Sequence, residues 1–217
     1  MSLNNIWVFA QSANGAPTSS TLELLTKARS LSSNITAVIA GNGAEAGVLG
    51  EYGATAVLAV EIGKNLPGVA VASAMKAVID GGNTPDLIMF PQSYEGRDVM
   101  ARLSVKLDKT VLTNNIDITA AGGVTVVTPV FGGNTLVSTT FTGSGPYLAA
   151  FRPKSFAAES AGGAAAAVTA VSVPDLGATG SAQVQAVPWK KPPDQSLTKQ
   201  TSLLLVVADL VKLLATQ

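Results

Sequence analysis

Two residue types are missing altogether: the 217-residue chain has no cysteine and no histidine. That excludes disulfides, thiol nucleophiles, Cys/His metal sites and any Ser-His-Asp triad. It also removes the side chain that most often moves protons near neutral pH. Charged residues are scarce, at 13%, and balanced, 14 basic against 14 acidic. With no basic stripe to neutralise phosphates, nucleic-acid binding is not expected. Aromatics are only 5% of the chain, while hydrophobic residues reach 47%. The core must therefore be built from Val, Leu, Ile and Ala, as in parallel sheets covered on both faces. Long apolar runs are missing too. Leu203 to Val207 is too short to span a bilayer and is followed by Asp209 and Lys212. The start, MSLNNIWVFAQS, lacks the basic and apolar regions of a signal peptide, so a soluble cytoplasmic protein is expected.

Apolar runs alternate with helix-period segments through the first half. Ile6 to Ala10 reads as a strand, and Thr18 or Ser19 can cap a helix through about Leu31. Ile35 to Ala40 and Ala56 to Val60 are further strands, with a short helix at Ala44 to Tyr52 between them. Leu66 to Ile79 is a helix ended by Gly81-Gly82. Asp86 to Phe90 is a fourth strand, and Arg97 to Leu107 is its helix. Four βα units in series predict a parallel sheet with right-handed crossovers. The second half is richer in strands. Ile116 to Ala120 and Val124 to Thr128 flank a hairpin turn at Ala121-Gly122-Gly123. Thr135 to Thr140 and Tyr147 to Phe151 read as a second hairpin-like pair, and Val168 to Val173 as one more strand. These segments are expected to extend the parallel core with antiparallel strands. Ala157 to Ala167 reads as a mobile loop or a short helix. The expected division is an α/β domain over 1–175, a linker over 176–195 and an apolar helix over 196–217, with Leu203, Val207, Leu210 and Leu214 on one stripe.

The glycines at Gly41, Gly43 and Gly47 scan as a variant dinucleotide fingerprint, with Glu61 near the place of a ribose-binding acid. The segment follows the second strand rather than the first, which favours a tight structural turn. The segment Gln92, Ser93, Tyr94, Glu95, Gly96, Arg97 and Asp98 carries more weight. With strand order 3-2-1-4-5, the order reverses between strands one and four, and ligands of open α/β sheets sit outside the carboxyl ends at such a reversal. Loops Gln11 to Pro17 and Pro91 to Asp98 would wall that crevice, as a ligand or partner loop. Asp98 suits the positive end of its helix and is a candidate to cap it. Asp86 and Asp98 lie at opposite ends of a strand, roughly 16 Å apart, too far for paired acid/base work. Ser93 has no activating base near it in sequence. Arg152, before Pro153, can bind an anion or pair with Asp117, and the pairing is the favoured expectation.

Taken together, IWVFAQ (Ile6 to Gln11), TLELLTKAR (Thr21 to Arg29), VIAGNGAE (Val38 to Glu45), PDLIMFPQSYEGRD (Pro85 to Asp98), PVFGGN (Pro129 to Asn134) and FRPKSF (Phe151 to Phe156) resemble, in order and spacing, the N-terminal domain of the electron transfer flavoprotein α subunit. Where that family usually has Arg before the proline, this chain has Thr128. The resemblance implies an α/β fold with a Rossmann-like open, mainly parallel sheet of the adenine nucleotide alpha hydrolase-like kind. It implies FAD as the cofactor, held chiefly by a second domain whose Gly-rich turns are not found here, so this chain alone is not expected to hold FAD tightly. It further implies a β-type subunit as partner, a separate FAD-binding domain as a possible second one, and no catalytic residues in this chain. The expected role is scaffold and partner contact in flavin-mediated electron transfer from dehydrogenases. The alternative is a stand-alone nucleotide-binding domain using the crevice at strands one and four. A carboxylate-dependent enzyme is the least supported reading.

Overall fold

The computed structural model describes residues 3–184. The residues up to Val184 form one compact unit. The helix expected over 196–217, and the part of the expected linker beyond 184, lie outside the described residues.

The first half follows its periodicity. The elements run β1 (Ile6–Ala10), a small hairpin of β2 (Ser12–Ala13) and β3 (Ala16–Pro17), α1 (Ser19–Arg29), β4 (Ile35–Ala40), α2 (Ala46–Glu51), β5 (Ala56–Val60), α3 (Pro67–Asp80), β6 (Leu87–Pro91) and α4 (Tyr94–Leu107). Thr18 caps α1, its side chain accepting from the Thr21 N–H. Proline opens α3, where its missing N–H costs nothing. The helix α4 begins at Tyr94, three residues earlier than its apolar spacing indicates, because Ser93 caps it.

The second half contributes β7 (Val111–Asn115), β8 (Asp117–Thr119), β9 (Thr125–Val130), β10 (Thr135–Thr140), β11 (Tyr147–Phe151) and β12 (Ala167–Val171). A seven-stranded sheet has the order β12-β5-β4-β1-β6-β11-β7, and each neighbouring pair is parallel. The 3-2-1-4 part of the order read from the sequence is thus present as β5-β4-β1-β6, with the reversal between β1 and β6, and the strand beside β6 is β11 rather than the next strand in sequence. Alternate residues of each strand face opposite layers. Ile6, Val8, Ile35, Ala37, Leu87 and Met89 pack with Leu24, Leu25 and Ala28 of α1. Trp7, Phe9, Val38, Ile88 and Phe90 pack with Met75 of α3 and with Val99, Met100 and Leu103 of α4. The sheet is covered on both faces, which is why its central strands read as unbroken apolar runs.

Three expectations for the second half fail. First, Thr135 to Thr140 and Tyr147 to Phe151 are not a hairpin. β10 pairs antiparallel with β9, and β11 inserts between β6 and β7 in the parallel sheet. YLAAF has no polar face to leave in solvent, and all but Tyr147 are buried, so burial on both faces outweighs nearness in sequence. Second, the antiparallel strands do not extend the core. They form a separate sheet of order β10-β9-β8, seated through Ile118 and Val126 on the α1 side. Third, Val111–Asn115 is a strand that its sequence hides. It is a half-buried edge strand ending in two asparagines, residues depleted in strands.

Ala157 to Ala167 forms no helix in the structure. Residues 157–166 form an extended strap that carries the chain from β11 to the opposite sheet edge at β12. The Ala161 N–H donates to the Glu51 carbonyl at 2.8 Å, and the Ala166 N–H to the Ala46 carbonyl at 3.1 Å. Its small residues matter, because Gly50 and Gly163 let the two backbones touch.

Candidate functional site at the strand reversal

The reversal brings together the loops after β1 and β6, as the sequence indicates, but it closes them on each other. The Ser93 hydroxyl donates to Gln11 Oε1 at 2.6 Å and accepts the Gly96 N–H at 2.9 Å. Gln11 is held in turn: its N–H donates to Thr21 Oγ1 at 2.8 Å, and its carbonyl accepts from the Thr18 N–H at 2.8 Å. One hydroxyl thus both caps α4 and latches the crevice.

Gln92 faces the other way. Its N–H donates to the Phe151 carbonyl at 2.9 Å, and its Oε1 accepts the Asn114 N–H at 2.7 Å. Asn114 has a left-handed backbone, φ 65°, which asparagine tolerates better than other non-glycine residues. Its side-chain oxygen accepts from Arg152 Nε at 2.6 Å. The expected pairing of Arg152 with Asp117 is therefore not formed. Asp117 binds Lys27 instead, at 2.7 Å. Burial pushes the Asp117 carboxyl up, but the hydrogen bonds from Lys27 and from the Ile118 N–H outweigh it and hold it below the usual carboxylate range.

Gly96 is obligatory, since any Cβ there would collide with the Pro91 carbonyl. Glu95 lies in the first turn of α4, where the helix dipole favours an acid. Asp98 is not the cap. It accepts from Arg102 Nε at 2.7 Å and lies against Gly68 of α3. Arg97 stacks its guanidinium over the Tyr94 ring at 5.1 Å, and Tyr94 is 89% exposed. Of the seven residues singled out, Gln92, Ser93, Gly96 and Asp98 hold protein to protein, while Tyr94 and Arg97 face solvent.

Two residues of this network escape the sequence reading. Asn115 is fully buried: its Nδ2 donates to the Leu112 and Ala150 carbonyls at 2.7 and 2.9 Å, and its Oδ1 accepts from the Thr128 hydroxyl at 2.8 Å. Thr128 thus ties the small sheet to the large one. Asn114 is the second. The only signal for either was an Asn-Asn pair beside a strand.

Of the glycines after β4, Gly43 serves packing, whereas a Cβ on Gly41 or Gly47 would meet nothing within 4 Å. Gly43 is buried, and a Cβ on it would lie 2.9 Å from Val168 Cγ1 of β12. The helix that follows, α2, has only six residues and no side-chain cap. A cavity of about 440 Å³ lies at the opposite end of the sheet, between Lys109 and the β10–β11 connection, and Lys109 Nζ bridges to the Ser144 carbonyl at 2.8 Å. At the reversal the Ser93 hydroxyl and the side-chain oxygens of Gln11 and Gln92 are engaged with protein partners, while Tyr94 and Arg97 are exposed. Among the described residues there is no cluster of three potential metal ligands, and no helix is long and apolar enough to cross a membrane.

Comparison with known proteins agrees with this architecture. The family described as electron transfer flavoprotein domain matches residues 6–176. The electron transfer flavoprotein subunit alpha of Syntrophomonas wolfei is 30% identical over 152 residues, covering 68% of this chain and 47% of that protein. The protein FixB of Clostridium saccharobutylicum is 30% identical over 179 residues, covering 77% of this chain and 53% of its own length. The subunit alpha of Thermoanaerobacterium thermosaccharolyticum is 28% identical over 160 residues, covering 69% and 48%. The chain spans about half the length of the curated relatives it matches. With the reversal, the doubly covered parallel sheet and the family match over most of its length, this chain belongs to the electron transfer flavoprotein family.

Proposed function

We propose that this chain is an N-terminal-type scaffold and partner-contact domain of an electron transfer flavoprotein α subunit. In this reading it supports flavin-mediated electron transfer from dehydrogenases, in the cytoplasm, as part of a heterodimer with a β-type subunit. FAD belongs to the assembled protein, and this domain carries no catalytic residue of its own. The observation that carries the partner-contact role is the outer strand of the small sheet. Among the described residues β10 has an unpaired edge, and it is exposed along nearly its whole length. Leu136 is 59% exposed, Val137 42%, and Phe131 at the adjoining turn 82%. An uncharged free edge that exposes Leu136 and Val137 favours pairing with another chain. The Gln11–Ser93 latch supports the scaffold role, since it uses side-chain groups at the reversal to hold protein to protein.

The test is co-purification with a β-type subunit from the same genome, together with a visible spectrum of the chain alone. Stable complex formation that is lost in Leu136→Lys, with a colourless isolated chain, is the expected result. Flavin retained by the isolated chain after gel filtration would overturn the scaffold role. Saturable binding of AMP, ATP or NAD to it would favour the nucleotide-binding alternative instead.

A further inference from the structure

The chain contains two Asn-Gly steps among its described residues, Asn14-Gly15 and Asn42-Gly43, and the fold treats them differently. Asparagine before glycine is chemically labile because no Cβ keeps the glycine nitrogen away from the asparagine side-chain carbonyl. Asn42 is protected. Its Oδ1 accepts the Ala44 N–H at 3.1 Å, and buried Gly43 is wedged against Val168 and Ala59. The Gly41 N–H is bonded to the Val60 carbonyl at 2.8 Å, which anchors the turn from the other side.

Asn14-Gly15 has none of these restraints. It is the tip of the β2–β3 hairpin, with φ 54° and 78° at the two residues, and both are exposed. A Cβ on Gly15 would meet nothing within 4 Å. The ladder beneath consists of Ser12 opposite Pro17 and Ala13 opposite Ala16, and Pro17 has no N–H to donate. So short a hairpin is marginal on its own. The Gln11–Thr18 backbone bond closes the loop below it, so the tip can open without releasing the Gln11–Ser93 latch.

We propose that Asn14 is a site of spontaneous deamidation, with water as the co-reactant. The Gly15 backbone nitrogen loses its proton to base and bonds to Asn14 Cγ. The bond from Cγ to the side-chain nitrogen breaks, and that nitrogen leaves as ammonia. Water then opens the resulting succinimide at either carbonyl, giving aspartate or isoaspartate. Each product adds one negative charge to a chain of formal net charge zero. Isoaspartate also inserts a methylene into the backbone and abolishes the Asn-Gly turn. The charge appears on the wall of the strand-reversal loops.

Incubation of the folded chain in mildly alkaline buffer, followed by charge-based separation and peptide mass analysis, tests this. Isoaspartate is scored by methyl transfer from S-adenosylmethionine with an isoaspartyl methyltransferase. The expected result is an acidic form that accumulates with time and pH, maps to Asn14 and is absent from Asn14→Ser. Asn42 should lag several-fold behind in the folded chain and catch up in urea. Equal rates at Asn14 and Asn42 in the folded chain would overturn the proposal. So would an unmodified Asn14 in the folded chain under conditions where the urea-unfolded chain reacts.

Discussion

The buried carboxylate of Glu23 accepts the backbone N–H of Lys154 at 2.8 Å, joining α1 to the turn after β11 across 131 residues of sequence. Lys154 sits in the left-handed region, φ 64°, and this bond holds it there. The strap that leads to β12 begins at that turn. Glu23→Ala removes the acceptor of a part-buried bond to an exposed residue, and the expected cost is about 1 kcal/mol. Glu23→Gln keeps an acceptor and should lose less. Urea denaturation of the two variants checks the ranking, and equal losses would show that the bond is not what anchors the turn.

Ser93 serves two partners, so its removal should cost more than removal of Gln11. Ser93→Ala gives up both the α4 cap and the latch, an expected loss of about 1–2 kcal/mol. Gln11→Ala gives up the latch alone. The double variant should fall short of the sum, because one shared bond is counted in each single change. Full additivity would mean that the 2.6 Å contact contributes nothing to stability.

The Lys27–Asp117 pair gives a pH signature. The folded-state value of Asp117 is lowered from 3.8, so its contribution is fully present above the unfolded value and is lost as pH falls through the folded one. Asp117 is 48% exposed on its side chain, which screens the pair. Asp117→Asn should therefore cost only about 0.5 kcal/mol at neutral pH. The difference from wild type should vanish in strongly acidic buffer and shrink with added salt. A difference that persists at low pH would point to packing rather than charge.

Gly50 and Gly68 both lack room for a Cβ, but their neighbours differ. At Gly50 the obstacle is the Ala164 backbone carbonyl, and at Gly68 it is the Asp98 side chain. Backbone cannot step aside, whereas a surface carboxylate can. Gly50→Ala should destabilise by about 1–3 kcal/mol, the range for overpacking. Gly68→Ala should cost less and weaken the Asp98–Arg102 pair. Thermal melts decide the order, and a more harmful Gly68→Ala would refute it.

Local pattern was enough for the first four βα units, for the α1 cap and for the reversal beside Ser93. Their information lies in residues close in sequence: apolar runs, capping hydroxyls and terminal glycines. The β8–β9 hairpin was legible for the same reason, with its glycine turn between two short strands. The small sheet's outer strand was legible as a strand, though its partner was not.

What only the tertiary structure decided was the partnering of distant segments. YLAAF marks itself as buried, but the place between β6 and β7 is set by which gap in the sheet can cover both of its faces. The Ala-rich strap carries no secondary-structure signal, because its order comes from backbone bonds to α2 and close contacts at Gly50. The latch between Gln11 and Ser93 and the Asn114–Arg152 bond join residues far apart in sequence. Such bonds depend on strand order and register, and no local spacing encodes them. The sequence by itself determined a doubly covered parallel sheet and its family, while the folded chain determined that the crevice at the reversal is held shut.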